Sequence, residues 1–394
     1  MKIKNLSFCV ALLVSSALFL VSCSKEQAIL DDGTPVITGF SPQQGKVGEE
    51  VTIKGINIGD EIHNTLVEFN SANARVLAVT PTEVIAIVPS GATTGPIVVE
   101  TNSGRVTSAQ SFSVDDSDDL NFPGTKREGA VSFVLRGKGY VGSGAATTQH
   151  LTDLWEYDFT TTTWTQRAEI PSLHTRGFSF VLDGKAYVGS GFIDPSLWQY
   201  DPTTDTWVEK AAIDSEAERP VSLVINGRVF VGTGQDGLKG VSSFREYLPD
   251  TDEWVTRASV PGGGRRYAVG FALDGKGYVG LGMDDDGQTL TDMYEYDPTT
   301  DTWTQKADFA NAWLYGAEAF VIDGKAYVGL GNDGQGFIKD IWGYDPPADR
   351  WSSAGKFAGS GRYRATSFVV GDVVYIGTGY DEVNTLSDFW RFKP

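Results

Sequence analysis

The chain of 394 residues carries 46 Gly, 12% aromatic residues, 3 Met and 2 Cys, and average glycine usage is roughly 7%, so it describes many tight turns around aromatic packing rather than long helices. Its 32 Lys and Arg face 51 Asp and Glu, a formal net charge of -19 that repels polyanions and argues against nucleic acid as a partner. With 41% hydrophobic residues the chain still buries sizeable cores, which excludes disorder for most of it, and its length exceeds one ordinary domain.

The chain opens with a basic stretch, Met1 to Lys4, followed by an apolar run from Leu6 to Val21 that contains Cys9. This is the layout of a secretory signal, and the run is short for a membrane span. It ends in Leu20-Val21-Ser22-Cys23, which resembles the lipobox of bacterial lipoproteins. The resemblance implies that residues 1–22 are removed, that Cys23 is acylated and holds the protein to a membrane, and that 23–34 form a tether. Ser24 rather than Asp after the cysteine favours the outer membrane, facing either the periplasm or the medium. Cys9 would leave with the leader, so no internal disulfide is possible and stability rests on burial. The protein is expected to be a monomer.

From Pro35 to Val114, turn residues separate short alternating runs: Val51 to Gly55, Leu66 to Phe69, Val84 to Val88, Ile97 to Glu100 and Ser111 to Val114 among them. About seven such strands make a small immunoglobulin-like sandwich. The stretch 35–114, with its closing Gly95-Pro96-Ile97-Val98-Val99 and Phe112-Ser113-Val114, resembles the IPT/TIG family, whose members are mostly spacers or adhesive modules.

The remainder, 115–394, is a repeat. Trp164, Trp207, Trp254, Trp303 and Trp351 are spaced by 43, 47, 49 and 48 residues, a propeller-blade period. Each closes a phrase of the type Tyr200-Asp201-Pro202-Thr203-Thr204-Asp205-Thr206-Trp207, and upstream lies a second phrase of the type Lys138-Gly139-Tyr140-Val141-Gly142-Ser143-Gly144. Six copies of the second phrase predict six blades. Asp183-Gly184, Asn226-Gly227, Asp274-Gly275 and Asp323-Gly324 predict type I′ hairpins joining strands a and b of a blade. Strand c carries runs such as Leu154 to Tyr157, and strand d begins at the tryptophan. These phrases resemble the Kelch family of β-propellers, so the expected fold is all-β, a TIG sandwich followed by a six-bladed Kelch-type propeller. The sixth copy stops at Pro394 after its strand c, and residues 115–123 are expected to supply the closing outer strand, because an open edge leaves the ring unlatched.

The segments leading into strand a place a ring of cations at one channel mouth: Arg127, Arg176, Arg219, Arg265, Arg266, Arg362 and Arg364, with Trp313 and Tyr315 in blade five. Guanidinium forks suit carboxylates and phosphates, and aromatic faces suit sugars or aromatic side chains. The reading is a binding protein for a glycan or an acidic protein segment, with a structural or assembly role as an alternative. No cofactor is expected. Asp284 and Asp286 are weak calcium candidates in an oxygen-rich loop, with no converging second segment. Copper oxidases of this architecture need two histidines and a cross-linked cysteine, whereas this propeller has His150, His174 and no cysteine. The surviving enzymic alternative is the sialic-acid epimerase activity carried by some six-bladed Kelch proteins of bacterial envelopes, with Glu128, His174 and Glu218 as acid/base candidates.

Overall fold

The computed structural model describes residues 33–394, apart from 47–48, 60, 90–91, 115–119, 121, 190, 192–193, 214–217 and 310–313. The expected leader, Cys23, most of the tether and Trp313 lie outside the described residues.

The N-terminal sandwich has the strand order Val36–Ser41, Glu50–Ile56, Glu83–Ile87, Ala72–Thr80, Leu66–Phe69, Gly95–Thr101, Gly104–Val114, Gln44–Gly45. Alternation in Glu50–Ile56 turns Val51 and Ile53 inward, where they join Phe40, Val67, Phe69, Ile97 and Phe112 in one core. Ala72–Thr80, which the sequence reading passed over, pairs with Glu83–Ile87 on one side and Leu66–Phe69 on the other and so joins the two sheets. Its Ala72, Ala74, Val76 and Val79 pack half-buried on the core, and a register shift between Val76 and Ala78 breaks their alternation.

Six sheets follow. In blade one, strands a to d are Val131–Leu135, Lys138–Gly142, Leu154–Asp158 and Thr163–Arg167. The a strands of blades two to six are Phe178–Leu182, Val221–Ile225, Val269–Leu273, Glu318–Ile322 and Thr366–Val370. The a–b turns form as type I′ hairpins: in Arg136-Gly137 and the four predicted pairs, every φ lies between 49° and 77°. Blades one to five are four-stranded, and among the described residues blade six has three strands, ending in Phe389–Phe392.

The tryptophan phrase is a latch between blades. Asp205, held at φ 55°, accepts hydrogen bonds from the Tyr200 hydroxyl (2.7 Å) and from the Ala168 amide of the preceding blade (3.0 Å). The Trp207 indole N–H donates to the Ala168 carbonyl at 3.0 Å. Tyr247, Asp252 and Trp254 repeat the arrangement on Ala211, as do Tyr296, Asp301 and Trp303 on Ala258. At the ring closure the Trp164 indole donates to the carbonyl of Leu120, so Leu120 takes the place of Ala168. Phe122 is buried against Trp164, Trp155 and Phe389. Residues 115–119 and 121, the rest of the expected closing strand, lie outside the described residues.

The Gly-x-Gly phrase positions the channel mouth. In blade four a Cβ on Gly280 would stand 2.2 Å from the Asp292 carbonyl, and one on Gly282 2.4 Å from the Arg266 carbonyl. Without side chains there, the entry to strand c and the segment before strand a can close in. That segment bridges the b–c loop of its own blade, as in Glu128↔Ala145, Glu218↔Gln235, Arg266↔Met283, Tyr315↔Asn332 and Tyr363↔Tyr380. The d–a and b–c connections therefore share one face.

Candidate ligand site at the channel mouth

Strands a pack side by side around a central channel, tied by serines. The Ser179 hydroxyl donates to the Ser132 carbonyl, Ser222 to that of Ser179, and Ser132 to that of Ser367, at 2.7–2.8 Å. Two residues before strand a, every blade places one residue in the left-handed region: Gly129, Arg176, Arg219, Tyr267, Gly316 and Arg364, with φ between 56° and 65°. Backbone bonds run from blade to blade through this belt, from the Gly129 N–H to Arg364 (3.0 Å), Arg176 to Gly129 (2.9 Å) and Arg219 to Arg176 (2.8 Å). Left-handed backbone costs a non-glycine residue about 1 kcal/mol, and Gly129 and Gly316 show that glycine is compatible here. Three arginines and a tyrosine are thus held at some cost to stability.

The seven predicted arginines fall into separate groups. Arg127, Arg265 and Arg362 sit four residues before strand a, are 0% exposed, and form two-pronged pairs with Asp153, Asp292 and Asp388 at 2.6–2.9 Å. These carboxylates compensate the buried charge, and the remaining contacts of Arg127 and Arg362 go to backbone carbonyls and the Ser360 hydroxyl. Each ties the segment before strand a to the entry of strand c in its own blade, and none lines the channel, which corrects their placement in the expected ring. Arg266 turns to the blade-three hairpin and reaches the Leu238 carbonyl at 3.4 Å.

Arg176, Arg219 and Arg364 line a cavity of about 310 Å³ together with Tyr267, Glu318 and the serines. Arg364 meets Glu128 at 2.5 Å, and Arg176 bridges Glu128 (3.2 Å) and Glu218 (3.3 Å). Withdrawal from water opposes the charge of Arg176, and the hydrogen bonds and charges of Glu128 and Glu218 outweigh it. Among the described residues Arg219 has no carboxylate within salt-bridge distance. Its guanidinium lies over the Tyr267 ring at 5.3 Å, and its enclosed Nε has no hydrogen-bond partner among the described residues. Withdrawal from water, then the charges of Arg364 and Arg176, pull its pKa down to about 9.

Glu318, which sequence reasoning missed, enters the same cavity from the first position of strand a in blade five. It accepts a hydrogen bond from Ser367 at 2.9 Å. Loss of solvent pushes its carboxyl up to about 7, against the opposing pulls of Ser367 and Arg219. The signal was available: the other blades carry Val131, Phe178, Val221, Val269 and Thr366 in that column. Aromatic rings gather on blades four to six, with Tyr267 6.0 Å from Tyr315, and Phe337 stacked on Tyr363 at 4.8 Å beside Tyr380.

The remaining candidates are placed elsewhere. His174 is fully buried, and the hydroxyl of Ser172 stands between its Nε2 (3.4 Å) and the Asp194 carboxylate. That order is not the nucleophile–base–carboxylate sequence of a hydrolytic triad. His150 reaches Thr175 at 2.9 Å. Asp284 accepts the Gln288 amide within its own loop, and Asp285 accepts the Gly240 amide of the blade-three hairpin Gln235–Asp236/Lys239–Gly240, so these carboxylates fix loops. Among the described residues no three His, Cys, Asp or Glu side chains form a group able to hold a metal.

Comparison with known proteins separates the two halves. Residues 35–114 match the IPT/TIG domain family. The N-terminal sandwich is an IPT/TIG domain. The solved structure of YjhT is similar with a TM-score of 0.60 at 17% identity, over 69% of this chain and 97% of that one. At that identity the likeness carries the fold alone. No curated protein matches the chain. Beyond the TIG domain, function has to be read from the channel.

Proposed function

We propose that this is a lipid-anchored binding protein of the cell envelope, in which the TIG domain is a spacer and a Kelch-type propeller holds a sugar acid at its channel mouth. The observation that carries the reading is Arg219, a channel-lining guanidinium that has no paired carboxylate among the described residues and is pressed by two like charges. An anion between Arg219 and Arg176 supplies what the protein leaves out, and a guanidinium fork suits a carboxylate. The cavity is at the small end of the roughly 300–1,000 Å³ typical of ligand clefts, which favours one compact acidic unit over a protein segment. Tyr267 and Tyr315 offer ring surface for a sugar, and the net charge of -19 disfavours polyanions.

Calorimetric titration of soluble protein with sugar acids and their neutral counterparts tests this reading. A saturable acid-selective heat, lost in Arg219→Ala, is expected; equal binding by Arg219→Ala, or no sugar acid bound, would overturn it. Glu318 supports a second reading, the epimerase-like one, because a carboxyl with a pKa near 7 gives and takes protons at neutral pH. Of the earlier acid/base candidates, Glu128 and Glu218 are held by arginines and His174 is enclosed. Interconversion of the two anomers of a bound sugar acid, followed by NMR and abolished by Glu318→Gln, would establish that reading; turnover unchanged in the variant would remove it.

A further inference from the structure

A second cavity, of about 750 Å³, opens where the ring closes, between the loops of blades one and six. Its walls are the segment 125–128 and the b–c loop 146–149 on one side, and Tyr363 with the b–c loop 380–385 on the other. Arg364 lines both this groove and the channel, so the two spaces adjoin at that side chain. The groove differs from the channel in chemistry. Besides Arg364 it carries one further cation, Lys126, and one anion, Glu128, which is already paired. The rest is neutral: the side chains of Thr147, Thr148, Gln149 and Asn384 have no hydrogen-bond partner among the described residues, and Tyr380 adds ring surface.

Resting on the sugar-acid reading of the channel, we infer that the natural ligand is an oligosaccharide with one acidic terminal residue, whose acid enters the channel and whose neutral residues lie in this groove. Neutral sugars present hydroxyls and acetamido groups in need of amide and hydroxyl partners, and apolar ring faces that settle on tyrosine. A chain of acidic residues is disfavoured, because beyond Arg364 the groove offers it a single lysine. An acidic peptide therefore fits less well than a glycan with its one charge at the end.

Titration of the intact soluble protein with three probes decides the matter: the free sugar acid, a trisaccharide carrying that acid at its terminus, and an oligoglutamate peptide. The trisaccharide should bind about tenfold tighter than the acid alone, the return on roughly two neutral hydrogen bonds. The double substitution Gln149→Ala/Asn384→Ala, on exposed loop positions remote from the cores, should abolish that advantage and leave the free acid's affinity as it was. Equal affinities of acid and trisaccharide in the unmodified protein would overturn the groove while leaving the channel reading intact. Failure of all three probes to bind would overturn both. Oligoglutamate binding more tightly than the trisaccharide, and weakened by the double substitution, would overturn the glycan class in favour of an acidic peptide.

Discussion

At the scale of single residues, Glu318 makes the channel respond to pH. The folded protein keeps its proton up to about pH 7, whereas a solvated glutamate releases it near 4.5. Between those values the folded state binds more protons than the unfolded chain, so this group's contribution to stability falls as pH rises through the window. Glu318→Gln removes the titration. Its melting temperature relative to the parent should be higher near pH ~8 than near pH ~5; an equal offset at both would sink the assignment. The arginines show what the sequence could and could not say. Counting back from strand a lumps together positions two and four residues before it, whereas only the arginines at the left-handed position, two before the strand, reach the channel. The pairing partners were visible nonetheless: Asp153, Asp292 and Asp388 precede strand c in the three blades that carry Arg127, Arg265 and Arg362.

At the scale of elements, the blade was legible because its phrases are latches with fixed chemistry. Tyrosine, aspartate and tryptophan recur since each must satisfy the amide and carbonyl that follow strand d of the preceding blade. Blade six breaks the pattern, having three strands among the described residues. Leu120 receives the Trp164 bond and Phe122 fills the aromatic seam, so the chain before the propeller already supplies part of the latch. A propeller starting after Gly124 should therefore melt several degrees below one starting at residue 115, having lost two buried apolar side chains worth roughly 1.5–3 kcal/mol each. Removing 24–34 instead should leave the melting temperature unchanged. Coincident melts for the three proteins would show that the ring closes without this segment. Ala72–Thr80 was illegible for the opposite reason, since its inward side chains are small and half-buried and a register shift between Val76 and Ala78 interrupts their alternation.

At the scale of the whole molecule, the two halves have separate cores. The TIG core draws on residues between Ile37 and Val114, and the propeller cores on residues between Leu120 and Phe392, with none in common. Calorimetry should accordingly resolve two transitions, and the upper or lower one should persist unshifted when 35–114 are deleted; a single transition lost on deletion would mean that the halves fold as one. The belt before the a strands has a further consequence. Its geometry is carried by main-chain bonds and by a backbone conformation that glycine, arginine and tyrosine all adopt at equivalent places. Each blade thus offers one socket whose occupant can be exchanged without rebuilding the ring, and the six sockets together spell a selectivity that can be rewritten one letter at a time.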